Sequence, residues 1–573
     1  MTLRSSEWFD GTEETSVMHR VAIRSVGFDL GSTNSKPIIG IADSSSWFNP
    51  CNLPLRDLIA PLSEGISAAG GVPMAFPVMS LGEDLMKPTA MLYRNLLSME
   101  VEEYVRSNPI DGVIILGNCD KSIPGAVMGA LSADIPTLVV NAGGRPAAMF
   151  RGRRIGTGTD LWRAWEDRRA GVLDDAAWAE FEQCLNCGLG ACNTMGTASS
   201  MAIVTEVLGL ALPGSSTIPS GSPERSEAAR QAGERIVAMV RSDVRPSRLV
   251  TTSAFTNAVK VLNAIGGSTN VVLHLLAMAR RTAATLELDD FGRWAAEIPV
   301  LADVEPSGAL LIQDFDAAGG VPALMHELGA LVDLDAMTAS GRTWAEESAT
   351  RPSGSPAIRT TRDPIRTSGA FAVVRGSLAP RGALIKTSAA SPELFDHTGP
   401  ALVFNDYLDM LKRIEDPELP VTPDTVLVLA YAGPVAVPGM PEWGMIPIPA
   451  ALAAKGVRDM VRITDARMSG TSFGTCVLHV APEAGIGGPL ALVQDGDLIH
   501  LNVAAGRVDL LIDDAEFERR RAMWQAPSSA HIRGWPVLYR AHVTQADEGC
   551  DLDFLQGLSA EARVFVPPIV GRS

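Results

Sequence analysis

Four short apolar runs, PIIGIA, GVPMAFPV, DGVIIL and PTLVV, follow one another between residues 37 and 140, punctuated by Gly and Pro. Runs this short and this continuously apolar read as buried strands rather than helices. Between them, LRDLIAPLSEGISAAG and EVEEYVRSN carry helical patterns. Such alternation commits the chain to a mostly parallel sheet with helices on both faces. From Met195 to about Leu286 helical patterns dominate, in MAIVTEVLGLAL, PERSEAARQAGERIVAMV and NVVLHLLAMARRTAATL. Residues 339–368 are rich in Ser, Thr, Arg and Pro and read as a connector or surface excursion. Beyond them GALIKTSA, PALVFN, TVLVLAY, DMVRITDA, LALVQDGDLIHLNV and VDLLID are strand-like, and DGDLIHLNVAAGRVDLLI reads as two strands joined by a Gly-containing loop. The fold class expected is therefore α/β. A large N-terminal α/β domain with a mostly parallel sheet spans residues 1–370, and a smaller β-rich, barrel-like domain spans 371–573.

With 573 residues the chain is too long for a single core. Its 46% hydrophobic and 20% charged residues are the balance of an ordinary globular enzyme. A net charge of −18 argues against a nucleic-acid partner, which calls for a basic face. Seven cysteines, unevenly spaced, are too few for a disulfide scaffold. The opening MTLRSSEWFDGTEETS lacks the apolar core of a signal peptide, and no apolar run approaches the roughly 18 residues of a membrane span. The expectation is a cytoplasmic protein with reduced thiols and no membrane or nucleic-acid partner.

The run DGVIIL stops at Cys119-Asp120-Lys121. Open α/β sheets bind ligands at the carboxyl ends of their strands, so this places a thiol, a carboxylate and an amine where a ligand would sit. Soft thiolates suit iron–sulfur clusters or zinc, and carboxylates suit magnesium. Cys51 (NPCN) and Cys192 (GLGACNTMG) occupy similar small-residue turns. A site holding an iron–sulfur cluster and a hard divalent cation is the reading to test. A local alternative groups Cys184-Leu-Asn-Cys187 with Cys192, since CxxC is a fair metal signal. AWAEFEQCLNC looks helical, however, and no second CxxC completes the set, so half-buried structural cysteines are preferred there. Cys476 and Cys550 have no partner spacing and read as structural.

Glu83 (SLGED) follows a strand, and Glu442 (GMPEWGMIPIP) lies in a Gly- and Pro-rich loop. With Asp120 they can supply an oxygen shell for Mg²⁺. Lys121 beside that metal would have to be neutral or modified into an anion. ITDARMSGTSFGT offers the hydroxyls of Ser469, Thr471 and Ser472, one of which could act as a base once a metal lowers its pKa. Without that context such a turn simply bonds its own backbone. VGFDLGSTNSK points elsewhere, because it resembles the first phosphate-binding loop of actin-like ATPases and sugar kinases, although no second phosphate loop follows.

Ordered segments running nearly end to end carry a family resemblance. They include KPIIGIADSSSWFNPCN, PVMSLGEDLMKPTAMLYRN, NPIDGVIILGNCDKSIPG, RIGTGTDLW, CNTMGTASSM, LNAIGGSTNVVLHLLAMA, GPVAVPGMPEWGMIPIP and TDARMSGTSFGTCVLHVAPEAGIGGPLALVQDGD. The chain resembles the dihydroxy-acid and sugar-acid dehydratases. LRSSEWFDG and YRAHVTQADEGCDLDFL look most like the sugar-acid, arabinonate- or xylonate-type branch. The resemblance implies that Cys51, Cys119 and Cys192 hold a cluster, 2Fe-2S in that branch with 4Fe-4S as the alternative. It implies that Glu83, Asp120, Glu442 and a carboxylated Lys121 bind Mg²⁺, and that Ser469 is the base, as an alkoxide. Thr471, Thr159 and Asp160 are the implied substrate contacts. The implied reaction converts a 2,3-dihydroxy sugar acid to its 2-keto-3-deoxy acid, in a homodimer or homotetramer. Dihydroxy-acid dehydration in branched-chain amino-acid synthesis is the alternative, the kinase reading a remote one, and a binding protein that has lost catalysis the non-enzyme reading. Leu53 and Pro54 after Cys51, and the stretch Phe28 to Ser35, depart from the family pattern. Ser469 in such a site must lie within a few ångströms of the metal ligands, which would make the active site a cleft between the two domains.

Overall fold

The four apolar runs form one sheet. Ile38–Asp43 (β1), Val72–Pro77 (β2), Gly112–Leu116 (β3) and Thr137–Val140 (β4) lie in the order β2-β1-β3-β4, all pairs parallel. Every residue of β3 and β4 is buried. Helices cover both faces, so these strands have no polar side to alternate with. The computed structural model describes residues 3–31, 35–185, 187–349 and 355–557. Ser32, Thr33 and Asn34, the turn of the kinase-like segment, lie outside the described residues.

Helices Ile59–Ala68 (α1), Arg94–Ser107 (α2) and Ser122–Ala133 (α3) connect successive strands. Thr159–Arg169 (α4) follows a hairpin of Ala148–Phe150 (β5) and Arg153–Ile155 (β6). Thr197–Val207 (α5) then leads to Pro223–Arg241 (α6), Thr252–Ala264 (α7) and Thr269–Ala279 (α8). α1 and α6 cross backbone to backbone at two glycines. A Cβ on Gly65 would meet the Arg230 carbonyl oxygen at 2.0 Å, and one on Gly233 the Leu62 carbonyl oxygen at 2.3 Å. Only residues without a side chain permit that approach.

The second half is β-rich. Phe371–Val374 (β7), Gly382–Lys386 (β8), Asp396–Phe404 (β9), Val426–Leu429 (β10), Arg462–Thr464 (β11), Cys476–Ala481 (β12), Leu498–Asn502 (β13) and Arg507–Leu510 (β14) form one mixed sheet. Its order is β14-β13-β9-β10-β11-β12-β8-β7. A bridge between Arg375 and Arg507 brings the two edges together, so the sheet is a nearly closed barrel. Period-two alternation sorts its residues. Ala401, Val403, Val426 and Val428 join an interior cluster shared by all eight strands, while Leu402, Phe404, Leu427 and Leu429 pack outward on Met410, Ile414 and Leu452.

Two sequence expectations are corrected. LALVQ reads as strand but holds the 3-10 turn Pro489–Leu492, because a proline directly after Gly487-Gly488 cannot donate to a ladder. The described parts of the 339–368 connector do not stand off the body. Trp344 is fully buried, and Ile358 and Arg366 bridge to Ala302 and Val300. No described helix is long and apolar enough to cross a membrane.

Candidate active site

Two asparagines set the strand-end loops. Asn118, two residues after β3, donates to the Cys51 carbonyl at 2.8 Å and the Gly143 carbonyl at 3.0 Å, and its own Oδ1 accepts from the Gly143 amide. Asn52 Oδ1 accepts from the Cys119 amide at 2.7 Å. Both side chains are buried, so the loops after β1, β3 and β4 are held in fixed register by hydrogen bonds that water cannot replace. The Cys192 loop joins them through a bridge between Gly144 and Ala191.

Cys51, Cys119 and Cys192 therefore line one cavity of about 660 Å³, together with Glu83, Asp120, Glu442, Ser469 and Thr471. Cys119 is hydrogen-bonded to Cys51, and that bond together with burial pushes its thiol well up. Burial, then the neighbouring Cys51, pushes Cys192 up to about 12. Thiols held protonated in this way become thiolates when a cation takes the proton's place, as metal-ligand cysteines do. Arg145 Nη2 lies 3.8 Å from Cys51 Sγ and is anchored on the Gly190 carbonyl at 3.1 Å. Cys184 and Cys187 do not line this cavity. They pack with Phe181 and Trp178 beside Ala148 and Ile155.

The carboxylates close on Lys121, whose side chain is completely buried. Asp120 touches its ammonium directly, Glu442 lies at 3.3 Å and Glu83 at 3.7 Å. Burial drives the Lys121 pKa down, but Asp120 and Glu442 outweigh it and the net direction is up. Burial raises Glu83. For Glu442 burial is outweighed by Lys121 and Arg467, which hold it below its usual range. Glu442 Oε1 accepts from Asn270 Nδ2 at 2.7 Å and from Arg467 Nη1 at 2.8 Å. Among the described residues no three His, Cys, Asp or Glu side chains are already disposed about one metal position. The ammonium occupies the centre of the acidic group instead.

Gly470, the residue after Ser469, packs closely against two helix ends. A Cβ there would meet Ser268 Oγ at 2.6 Å and the Thr197 amide nitrogen at 2.7 Å. Ser268 is the N-cap of α8 and Thr197 the first residue of α5. Ser469 Oγ is 3.0 Å from Thr471 Oγ1, which in turn accepts from Trp162 Nε1 at 3.0 Å. Thr159 and Asp160 are placed behind the wall rather than on it. Thr159 Oγ1 donates to the Thr471 carbonyl at 3.1 Å, and Asp160 accepts from the Gly156 amide and Arg153.

Asn52, Asn118, Arg145, Asn270 and Arg467 were not legible as site residues. Asn270 and Arg467 do lie in the segments GGSTN and ITDARMSG, where a Ser-Thr helix start and a strand-end turn were the available signals.

The convergence of thiols, carboxylates and hydroxyls marks this cavity as the candidate active site of an enzyme, and comparison with known proteins gives its class. The dihydroxy-acid/6-phosphogluconate dehydratase N-terminal model matches residues 36–347, and the corresponding C-terminal model matches residues 356–550. The chain belongs to the dihydroxy-acid/6-phosphogluconate dehydratase family and is a hydro-lyase. It is 46% identical to a 6-deoxy-6-sulfo-D-gluconate dehydratase of Pseudomonas putida, over 99% of this chain and 98% of the relative. It is 43% identical to an L-arabinonate dehydratase of Rhizobium leguminosarum bv. trifolii, over 98% and 97%. A dihydroxy-acid dehydratase of Moorella thermoacetica is 36% identical over 93% and 98%. Sugar-acid dehydratases are thus among its similar relatives.

Proposed function

We propose that this chain converts a sugar acid with hydroxyls on C2 and C3 to its 2-keto-3-deoxy acid, with a cluster held by Cys51, Cys119 and Cys192 and with Mg²⁺ held by Glu83, Asp120, Glu442 and a carboxylated Lys121. One observation carries the reading. A single cavity wall presents three thiols, three carboxylates around a buried lysine, and the Ser469 hydroxyl. The donor sets fit the two groups. Thiols suit iron–sulfur, a 2Fe-2S cluster in this reading, and clustered carboxylates suit magnesium. Carboxylation of Lys121 would replace the central cation by an anion, turning the acidic group from a lysine cage into an oxygen shell. When bound, the two centres supply Lewis acidity toward the substrate's carboxylate and hydroxyl oxygens.

The chain's own residues do the rest. Acting as the alkoxide, Ser469 Oγ takes the proton from C2. It then returns that proton to the C3 oxygen as the C3–O bond breaks and water leaves, and the enol that remains tautomerises by moving its hydroxyl proton to C3. Thr471 Oγ1 orients the Ser469 hydroxyl, and Trp162 fixes Thr471. Arg467 and Asn270 keep Glu442 aimed at the site.

The test is turnover of a panel of C5 and C6 aldonates by anaerobically prepared, iron–sulfur- and Mg²⁺-loaded enzyme, read as 2-keto acid formed. Turnover of aldonates is the expected result. Turnover confined to branched 2,3-dihydroxy acids would select the branched-chain reading, and no turnover of either class would overturn the substrate assignment.

A further inference from the structure

The distal half of the cavity lies between α4 and the helix Tyr407–Arg413 (α9). α4 starts at the proposed chemistry, with Thr159 and Trp162 bonded to Thr471. Seven residues on from Trp162, at about 1.5 Å rise per residue, Arg169 sits roughly 10 Å along the axis. This arginine is the cation on the cavity wall at that end, and it is fully engaged. Its Nη1 donates to both oxygens of Glu166 at 2.9 and 3.2 Å, its Nε and Nη2 reach Glu415 at 2.8 and 2.7 Å, and Nη2 also meets the Ile448 carbonyl at 3.1 Å. Its side chain is only 8% exposed. Arg462, which also faces Glu166, is paired with Asp459, so three carboxylates against two guanidiniums leave this end with net negative charge. Lys87, the other basic residue on the cavity wall, donates to the Glu83 carbonyl and so belongs to the end that holds the metal ligands. The remaining distal surface is apolar, with Met410, Leu411 and Ile414 beside the aromatic rings. Tyr407 and Trp443 stack with centroids 4.3 Å apart, and Trp162 and Trp165 face the same space.

Resting on the sugar-acid reading above, we propose that Glu166, Arg169 and Glu415 select for sugar acids whose distal end is uncharged, and against those carrying a terminal phosphate or sulfonate. A second anion would approach two glutamates whose counter-charge is already used, with the repulsion strongest at the half-buried Glu166 and more screened at Glu415, which is 55% exposed. A neutral chain lays its C–H groups on the aromatic faces and loses nothing there.

The experiment compares a hexonate with its 6-phosphate and 6-sulfonate on metal- and cluster-loaded enzyme. Binding is read by quenching of intrinsic tryptophan fluorescence, which Trp162, Trp165 and Trp443 make sensitive to occupancy, and turnover is read by kcat/KM. The expected result is binding and kcat/KM about 100-fold weaker for the anionic-tail acids, with the ratio narrowing at least about tenfold in the Glu166→Gln/Glu415→Gln double variant as like-charge repulsion falls. Equal or tighter binding of the phosphate or sulfonate would overturn the inference, as would a ratio that the double variant leaves unmoved. Discriminating binding without turnover would leave the selection standing and remove these acids as the substrates proposed above. If no acid binds, both fall.

Discussion

Lys121 and Glu442 lie 3.3 Å apart although 321 residues separate them in the chain. Lys121 follows the parallel strand β3, while Glu442 follows β10 of the barrel-like sheet, so the buried pair ties the two sheets together at the cavity. Glu442→Gln would leave Lys121 and Arg467 with less negative charge between them. The expected outcome is a destabilisation of about 3 kcal/mol, in the range for breaking a buried ion pair, together with a weakened Mg²⁺ response. Thermal unfolding with and without Mg²⁺ measures both. An unchanged melting temperature would show that the pair contributes nothing to joining the halves.

A metal analysis is expected to separate the three cavity cysteines from the two remote ones. Cys51→Ser, Cys119→Ser and Cys192→Ser are each expected to lose most bound iron and acid-labile sulfide, whereas Cys184→Ser and Cys187→Ser retain wild-type amounts. Iron loss in Cys184→Ser would revive the local CxxC grouping.

Ser469→Ala is expected to keep iron and Mg²⁺ yet lower turnover by about 100-fold or more, the low end of what a positioned base contributes. Exchange of the substrate's C2 proton with solvent, followed by NMR in deuterated buffer, is the direct readout. Wild-type exchange in the variant would assign the base to another group.

Lys386, at the end of β8, is fully buried, its Nζ has no hydrogen-bond partner among the described residues, and burial lowers its pKa to about 7. The unfolded chain holds that proton up to a pKa of about 10.4. The unfolded state therefore binds more protons between these values, and stability rises with pH across that window. The cost of the buried ammonium is full below pH 7. Lys386→Met is expected to be stabilised there by up to a few kcal/mol, with the gain fading toward pH 10. Melting temperatures of the two proteins from pH 6 to 10 test it, and parallel curves would contradict the assignment.

Chelation of divalent cations is expected to abolish turnover of the cluster-loaded enzyme and Mg²⁺ to restore it, with iron content unchanged throughout. Activity surviving exhaustive chelation would remove the hard-metal role of Glu83, Asp120 and Glu442.

The elements of this protein were written locally. GVIIL is a strand because a short apolar run bounded by turn residues can satisfy itself only in a ladder buried on both faces, and the hairpin of β13 and β14 follows from period-two alternation around Gly506. Cys119, Asp120 and Lys121 were legible for the same reason, since a strand that ends in polar residues must present them at the sheet's carboxyl edge. What surrounds them was not. Nothing in the spacing of Cys184, Cys187 and Cys192 tells that the first two turn into an apolar cluster while the third faces Cys51. Nor does RIGTGTDLW reveal that Thr159 and Asp160 brace the wall from behind. Those choices depend on side-chain direction at helix ends and on the register between loops set by Asn52 and Asn118. The meeting of Glu442, Arg467 and Asn270 depends on how the barrel seats against α8. Local propensity and pattern act over a few residues, whereas convergence over hundreds is decided by packing, and only the folded chain expresses that.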